Sequence, residues 1–221
     1  IYGRRRGRRL RPGRERLLHD LLPEVVVPSD MLSTPESWFD EPIHDLWLEI
    51  GFGAGEHLAA QAAARPEVGF IGCEPFRNGV AGLLALIESE GLRNIRIYPD
   101  DARALIKALP ERSVGRAFAL FPDPWPKTRH HRRRIIAAET LCELSRILKP
   151  GGELRLASDD MGYVRWMLSH TLKHGGFEWL ARSPDDWRRR PPEWTPTRYE
   201  AKALELGVDC VYLRFRRHDS K

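Results

Sequence analysis

The sequence predicts an α/β protein with a doubly wound, mostly parallel sheet. Short apolar runs alternate with longer helical patterns through the middle of the chain, as they do in βαβ units. A glycine-rich turn follows the first apolar run, and the last residues alternate like a strand, which predicts one antiparallel strand. With 221 residues the chain suits one domain with additions, because domains cluster near roughly 100 to 200 residues.

Five apolar runs are predicted strands, since each ends where polar residues or glycines begin. They occupy residues 46–50, 68–73, 95–98, 116–120 and 153–157. Helical patterns occupy residues 55–65, 77–90, 102–108, 131–147 and 160–174. The Lys-Pro-Gly-Gly segment at 149–152 should end the fourth helix, and residues 208–216 form the predicted antiparallel strand.

Positive charge is concentrated at the start of the chain. Eight arginines and one acid give residues 4–16 a charge of +7, which leaves −2 of the net charge of +5 to the remainder. We predict a basic arm over 1–22 and a single domain over 23–221, with a polar, proline-rich insertion near 183–200. Such an arm indicates a polyanion-binding surface, although the same composition also suits a disordered, solubilising tail.

The composition argues against several classes of protein. No segment approaches the ~18 uninterrupted apolar residues of a membrane-spanning helix. Cys73, Cys142 and Cys210 are far apart, which predicts neither a disulfide framework nor a zinc cluster and favours the cytoplasm. No histidine has zinc-ligand spacing, so we expect no metal. Because the chain begins with Ile1 rather than Met, we expect that residues precede it.

The glycine-rich turn is a candidate cofactor loop. Gly51, Gly53 and Gly55 follow the first predicted strand in GxGxG spacing, and Glu49 stands two residues before the first of them. Glycines let a backbone turn sharply and approach a ligand closely at the carboxyl ends of strands. The spacing differs from the GxGxxG of dinucleotide-binding proteins. A carboxylate suits S-adenosylmethionine, which carries an ammonium and a sulfonium.

Acidic residues also follow the next two predicted strands. Glu74 stands where a carboxylate accepts from ribose hydroxyls in related folds, and Asp101 is placed to accept from an adenine amine. Asp101 is preferred to Asp100 because a helix begins at Ala102. Each acid alone is equally consistent with a helix cap or a solvated turn. Three acids at three successive strand ends favour a ligand.

A proline-rich block follows the fourth predicted strand. Residues 121–127 are Phe-Pro-Asp-Pro-Trp-Pro-Lys, and the three prolines should hold Asp123 in a stiff frame. Trp125 suits either stacking on a base or packing as an anchor. A basic run follows, formed by Arg129, His130, His131, Arg132, Arg133 and Arg134.

Three of these blocks resemble those of the tRNA (guanine-N7)-methyltransferases and occur in the same order. They are residues 48–53, residues 121–134 and the Pro-Thr-Arg-Tyr-Glu of 196–200. The opening Tyr2-Gly3-Arg4-Arg5-Arg6-Gly7-Arg8 resembles that family's basic arm, so the likeness covers nearly the whole chain. Pro126 departs from the polar residue or histidine of many members. The resemblance implies a seven-stranded, Rossmann-like class I methyltransferase sheet.

The resemblance also implies an activity and its site. It implies methyl transfer from S-adenosylmethionine to guanine N7 in the tRNA variable loop, by a monomer or homodimer, with Asp123 as the catalytic residue. The implied cofactor residues are Glu49, Gly51, Gly53, Gly55, Glu74, Asp101 and Asp123. The implied substrate residues are Lys127, Asp159, Thr197, Arg198, Tyr199 and Glu200. The implied RNA-binding residues are Arg129, His130, His131, Arg132, Arg133 and Arg134.

Three alternatives remain open. A methyltransferase acting on exocyclic amines would carry an Asp/Asn-Pro-Pro-aromatic block, and Asp123-Pro124-Trp125 lacks the second adjacent proline. A non-catalytic RNA-binding subunit would be expected to lose the cofactor acids, which are present. A nicotinamide oxidoreductase is disfavoured by the glycine spacing.

Overall fold

Helices and strands alternate along most of the chain in this computed structural model, which describes residues 5–29 and 31–218. The chain divides into two compact units, one up to Pro110 and one from Glu111 onward. The start of the predicted arm, including Arg4, lies outside the described residues. The division into an arm and a single domain stays a prediction.

The first unit contains three parallel strands in the order β3-β2-β1. Ile50 pairs with Cys73, and Cys73 with Tyr98, so the three strands end at the same edge. The elements are α1 (Pro12–Asp20), α2 (Leu22–Val25), a 3₁₀ helix (Pro35–Trp38), β1 (Asp45–Ile50), α3 (Glu56–Ala64), β2 (Val68–Cys73), α4 (Arg77–Glu90), β3 (Ile95–Tyr98) and α5 (Ala102–Ala108).

The second unit contains four strands in the order β4-β5-β7-β6. The elements are β4 (Val114–Leu120), a 3₁₀ helix (Thr128–Arg133), α6 (Ala138–Ile147), β5 (Leu148–Ser158), α7 (Met161–His174), β6 (Phe177–Trp179), α8 (Asp185–Arg188), α9 (Arg198–Glu205) and β7 (Val211–Arg217). Strand β4 is parallel to β5, whereas β7 is antiparallel to both β5 and β6. The predicted seven-stranded, mostly parallel sheet with one antiparallel strand is confirmed.

The central strands are buried on both faces. Every residue of β2 is buried, and Leu48, Ile71 and Leu154 have no exposed surface. Parallel strands covered by helices carry such near-continuous apolar runs, which is why the strands were readable from the sequence. The candidate acids Glu49, Glu74 and Asp101 lie near or after the ends of these apolar runs.

The predicted helix over 131–147 is wrong in its first turns, because α6 begins only at Ala138. The backbone of Ile136 is bonded to side chains of α7 instead of to a helical neighbour. Its N–H donates to the hydroxyl of Tyr163 at 3.3 Å, and its carbonyl accepts from Trp166 Nε1 at 2.7 Å. Tertiary hydrogen bonds therefore replace the first helical turns. The predicted end of the helix is confirmed at Ile147, and the segment 149–152 lies inside β5.

The described part of the arm is folded against α4. The carbonyl of Arg5 accepts from the N–H of Arg77, and Asn78 bonds both the N–H of Gly7 and the carbonyl of Arg8. In α1, Arg16 pairs with Glu88 at 2.6 Å. This segment has the contacts of an ordered element rather than those of an unstructured tail.

Candidate active site

The glycine loop between β1 and α3 depends on left-handed backbone conformations. The φ angles of Gly51, Gly53 and Gly55 are 73°, 62° and 89°. A side chain at these positions would be strained, so the GxGxG spacing reflects the path of the backbone. The N–H of Gly51 donates to the carbonyl of Cys73 at 2.8 Å, which attaches the loop to the end of β2.

Two further glycines, which the sequence analysis missed, let α4 pack directly on this loop. A Cβ added at Gly79 would lie 2.2 Å from the carbonyl oxygen of Gly53. A Cβ added at Gly82 would lie 3.0 Å from the carbonyl oxygen of Ala54. The i, i+3 spacing of these glycines on one helix face was the available signal. Helix α4 therefore supports the glycine loop by backbone contact.

Glu74 fastens the glycine loop to the start of α4. Its side chain is buried, with one carboxylate oxygen accepting from the N–H of Gly53 and the other from the N–H of Phe76, both at 2.9 Å. The acid predicted to meet a ribose thus also organises the loop.

Glu49 is buried beneath the loop and pairs with a residue of α3. Its Oε2 lies 2.7 Å from Nδ1 of His57, and both side chains are buried. Its other oxygen, Oε1, accepts no hydrogen bond from the described residues. The pair fixes the orientation of the carboxylate and leaves one oxygen available to a ligand.

Asp101 caps α5, which is the alternative role that the sequence analysis kept for each acid. It accepts from the N–H of Arg103 at 3.0 Å and from the guanidinium of Arg103 at 2.9 Å. Asp100 instead pairs with Arg5 of the arm at 2.7 Å. Burial, followed by the charges of Asp101 and Glu74, raises the pKa of Cys73. The charges of Asp101 and Glu74 therefore both reach the Cys73 thiol, at the end of β2.

Asp123 lies exposed on a strained loop after β4. Phe121 and Trp125, two residues away on either side, have φ angles of 52° and 43°. Both precede a proline, which disfavours the right-handed helical conformation for them. A non-glycine residue in the left-handed conformation costs on the order of 1–3 kcal/mol. Contacts with the surrounding structure must therefore stabilise this loop conformation.

The basic run after this loop divides into exposed and packed side chains. Arg129 and Arg132 are exposed in the 3₁₀ helix, as is Lys127 before it. The guanidinium of Arg133 lies 4.8 Å from the ring centroid of Trp125. Arg134 is buried.

Both histidines of the basic run pack against tryptophan rings. The His130 ring meets Trp125 edge-on at 5.8 Å. Desolvation, followed by the surrounding arginines and Lys127, lowers the pKa of His130. His131 packs edge-on against Trp166 at 5.2 Å. Trp125 therefore has the contacts of a packing anchor, and neither histidine matches the exposure of Arg129 and Arg132.

The structure separates the two aspartates after β5. Asp160 caps α7 by accepting from the N–H of Tyr163 at 2.7 Å. Asp159 is exposed and makes no hydrogen bond or ion pair with the described residues. The first of the two is the one available to a substrate.

The 197–200 motif forms the start of α9. The hydroxyl of Thr197 accepts from the N–H of Glu200 at 3.1 Å, so Thr197 is the N-cap of α9. Glu200 is buried and accepts from the hydroxyl of Tyr212 at 2.6 Å, with Arg190 3.4 Å away. Arg198 and Tyr199 are exposed.

Cys210 shows that this motif lies near Asp159. Ser158, the residue before Asp159, pairs with Val211 in the sheet, and the neighbouring Tyr212 donates to Glu200. Burial, and after it the charges of Glu200 and Asp159, raise the pKa of the Cys210 thiol to about 11. The structure therefore brings together two groups of predicted substrate residues that are about forty positions apart in the sequence.

Two searches of the described residues bear on other classes of site. Among residues 5–29 and 31–218, no cluster of three or more His, Cys, Asp or Glu side chains is suited to a metal ion. None of the helices in the same residues has both the length and the apolar character needed to cross a membrane.

Comparison with solved structures places the fold among methyltransferases. The 16S rRNA methyltransferase KamB matches with a TM-score of 0.59 and 16% identity, covering 83% of this chain and 91% of that chain. The [4+2]-cyclase SpnF matches with a TM-score of 0.55 and 16% identity, covering 92% and 81%. Because a cyclase shares the fold, these likenesses identify the architecture and not the reaction. The fold and the glycine loop together match the architecture of class I methyltransferases.

Sequence comparison identifies the family within this class. Residues 44–213 match the family described as "Putative methyltransferase". The tRNA (guanine-N(7)-)-methyltransferase of Rhodospirillum rubrum is 53% identical over 98% of this chain and 87% of its own length. That of Roseobacter denitrificans is 48% identical over 98% of this chain and 95% of its own length. The chain belongs to the tRNA (guanine-N(7)-)-methyltransferase family.

Proposed function

We propose that this protein transfers a methyl group from S-adenosylmethionine to N7 of a guanine in the variable loop of tRNA, forming 7-methylguanosine. The observation that carries the proposal is Asp123, an exposed carboxylate on a loop held in a strained conformation. Strain of this kind concentrates at functional sites. The names of three relatives, each a tRNA (guanine-N(7)-)-methyltransferase, supply the base and the polymer.

The glycine loop fits S-adenosylmethionine better than a dinucleotide. Glu56 occupies the first position of α3, where a dinucleotide would place its pyrophosphate. Its carboxylate would repel that group. The oxygen of Glu49 that accepts no hydrogen bond from the described residues suits an ammonium. Glu74 directly follows β2, where a carboxylate accepts from ribose hydroxyls in related folds. When bound, the cofactor supplies an electrophilic methyl group on a sulfonium.

Methylation at guanine N7 needs no general base, because N7 presents a lone pair and carries no proton. The residues therefore contribute position and charge. Positive charge develops on the purine as the methyl group arrives, and a carboxylate at Asp123 or Asp159 stabilises it. An exposed carboxylate is also the acceptor that the guanine N1–H and exocyclic amine require, and adenine lacks this pair of donors.

The exposed residues of the 197–200 motif are proposed to hold the substrate. Arg198 and Tyr199 project from the first turn of α9, while Thr197 and Glu200 fix that turn from beneath. Lys127, exposed beside the Asp123 loop, is proposed to bind the nucleotide as a point charge. In this assignment the substrate motif has two contacting residues and two supporting ones.

The exposed arginines are proposed to bind tRNA phosphates. Arg129 and Arg132 lie beside the Asp123 loop, and Arg9, Arg11 and Arg14 are exposed on the arm. Phosphate contacts fix position without reading sequence. If about five contacts form, the slope of log affinity against log salt is of order −0.7 to −0.9 per contact. We place the enzyme in the cytoplasm, as a monomer or homodimer, without a metal.

Methyl transfer from labelled S-adenosylmethionine to bulk tRNA tests this proposal. The product is located by cleavage specific to 7-methylguanosine, in the wild type and in Asp123→Asn. We expect label at 7-methylguanosine in the wild type, and loss of turnover with retained tRNA affinity in the variant. Glu139→Gln, at an exposed carboxylate in α6, is the matched control. Label at another base would favour amine methylation, and no label would favour a non-catalytic RNA-binding subunit.

A further inference from the structure

The last arginine of the basic run differs from its neighbours in burial. Arg134 is 5% exposed, whereas Arg129 and Arg132 are exposed. A guanidinium that contacts a phosphate must reach the surface. The side chain of Arg134 instead points into the second unit.

The contacts of Arg134 connect two elements of that unit. Its Nε donates to the carbonyl of Pro124 at 2.8 Å, which is the residue directly after Asp123. Its guanidinium lies 5.0 Å from the ring centroid of Tyr163 and 4.6 Å from that of Trp166. Both rings belong to α7, so one side chain joins the Asp123 loop to that helix.

The helix end of this connection is itself fixed. Tyr163 and Trp166 bond the backbone of Ile136, two residues beyond Arg134. The cap of α7 is Asp160, the residue directly after Asp159. Arg134 therefore holds a loop carrying one proposed carboxylate against a helix that starts beside the other.

We infer that Arg134 is a positioning residue for Asp123, and that it makes no contact with RNA phosphate. The inference rests on the proposed function, because it gives Asp123 a catalytic role. The loop has left-handed residues on both sides of Asp123 and needs an outside contact to keep that shape. The hydrogen bond to Pro124 is such a contact, made at the centre of the loop.

Only arginine meets the requirements of this position. The planar guanidinium stacks on aromatic rings while its Nε–H remains directed at a single acceptor. Lysine has the same charge but lacks the Nε–H and the plane. Arg134→Lys therefore keeps the electrostatic attraction to RNA and removes the connection.

The test measures kcat, KM for tRNA and the salt dependence of tRNA binding in three variants. For Arg134→Lys we expect kcat to fall roughly 10- to 100-fold, as for a misplaced catalytic group, with an unchanged salt slope. For the exposed Arg132→Ala we expect weaker tRNA binding, a salt slope smaller by about 0.7 to 0.9, and little change in kcat. Arg165→Ala, exposed on α7, is expected to match the wild type.

A second substitution keeps the inference testable if Arg134→Lys does not fold. Trp166→Leu removes one ring beneath the guanidinium and leaves the charge in place, so it should also lower kcat at constant salt slope. The inference is overturned if Arg134→Lys retains wild-type kcat. It is also overturned if Arg134→Ala, which removes the charge as well, loses tRNA affinity and salt slope as Arg132→Ala does. A wild-type enzyme that forms no 7-methylguanosine would instead refute the proposed function.

Discussion

Replacing Gly79 with alanine tests whether α4 sets the shape of the cofactor loop. The added Cβ would lie 2.2 Å from the carbonyl oxygen of Gly53, whereas ordinary van der Waals contact begins near 3.4 Å. The loop or the helix must therefore move by more than 1 Å. Overpacking of this kind costs about 1–3 kcal/mol, and it exceeds or cancels the ~1 kcal/mol that alanine gains over glycine in a helix.

Two other glycines provide a graded comparison. The Cβ of Gly82→Ala would lie 3.0 Å from Ala54, so a smaller displacement suffices. The Cβ of Gly13→Ala, exposed in α1, would meet no atom within 4 Å. We expect Gly13→Ala to raise Tm by up to about 4 °C, at roughly 2–4 °C per kcal/mol for a chain of this size. Gly79→Ala should leave Tm unchanged or lower it by several degrees.

The decisive measurement is cofactor affinity by isothermal titration calorimetry with S-adenosylhomocysteine. We expect Gly79→Ala to weaken binding by at least about tenfold, since a displacement of 1 Å in a positioned site is costly. Gly82→Ala should fall between it and the wild type, and Gly13→Ala should bind normally. Wild-type affinity in Gly79→Ala would refute the role of α4.

Three further predictions concern the carboxylates of Glu74 and Glu200, which are buried, and of Glu153, which is partly buried. Glu74→Gln replaces one of two acceptor oxygens with an N–H₂ group facing a backbone N–H, so calorimetry should show cofactor binding weaker by about tenfold; unchanged binding would contradict the role of Glu74. Tyr212→Phe removes the donor to Glu200, at a cost of about 1.5–3 kcal/mol for a hydrogen bond to a charged group, so Tm should fall and KM for tRNA rise. Burial raises the pKa of Glu153, but the opposing effects of Arg155, Arg116 and Arg214 leave it below the ordinary 4.5. A carboxyl group whose pKa is lowered in the folded state stabilises the fold above pH 4.5, and this stabilisation is lost as the pH falls through the folded pKa. The free energy of unfolding of Glu153→Gln should therefore fall less steeply below pH 4.5 than that of the wild type. Identical pH dependence in the two proteins would rule this out.

The sequence predicted the strands well because their signal is local. β2, β3, α4 and α5 begin and end at the predicted residues, since apolar runs bounded by glycine and acidic residues are visible without any partner. The helix at 131–147 failed at its start because Ile136 bonds to Tyr163 and Trp166, which lie about thirty residues further along the chain. Helix α9 was missed although Thr197 and Glu200 form a capping-box pattern, because prolines and tryptophans dominate the preceding residues.

The roles of single residues were harder to predict than their positions. The family resemblance implied an RNA-binding role for Arg134 together with Arg132, and only the tertiary structure separates a buried guanidinium from an exposed one. Similarly, Glu200 stands in a substrate motif, yet its carboxylate is occupied by Tyr212. The burial of a side chain depends on which elements pack together, so it cannot be predicted from the residue type alone.

The sequence by itself determined the fold class, the glycine loop, the strand-end acids and the family, because each follows from residue types at fixed spacing. Only the tertiary structure decided which members of a motif face outward and which support them. It divided Arg198 from Glu200 and Arg132 from Arg134. The physical reason is that hydrogen-bond partners across the chain set the orientation of a polar side chain, and spacing along the chain does not encode those partners.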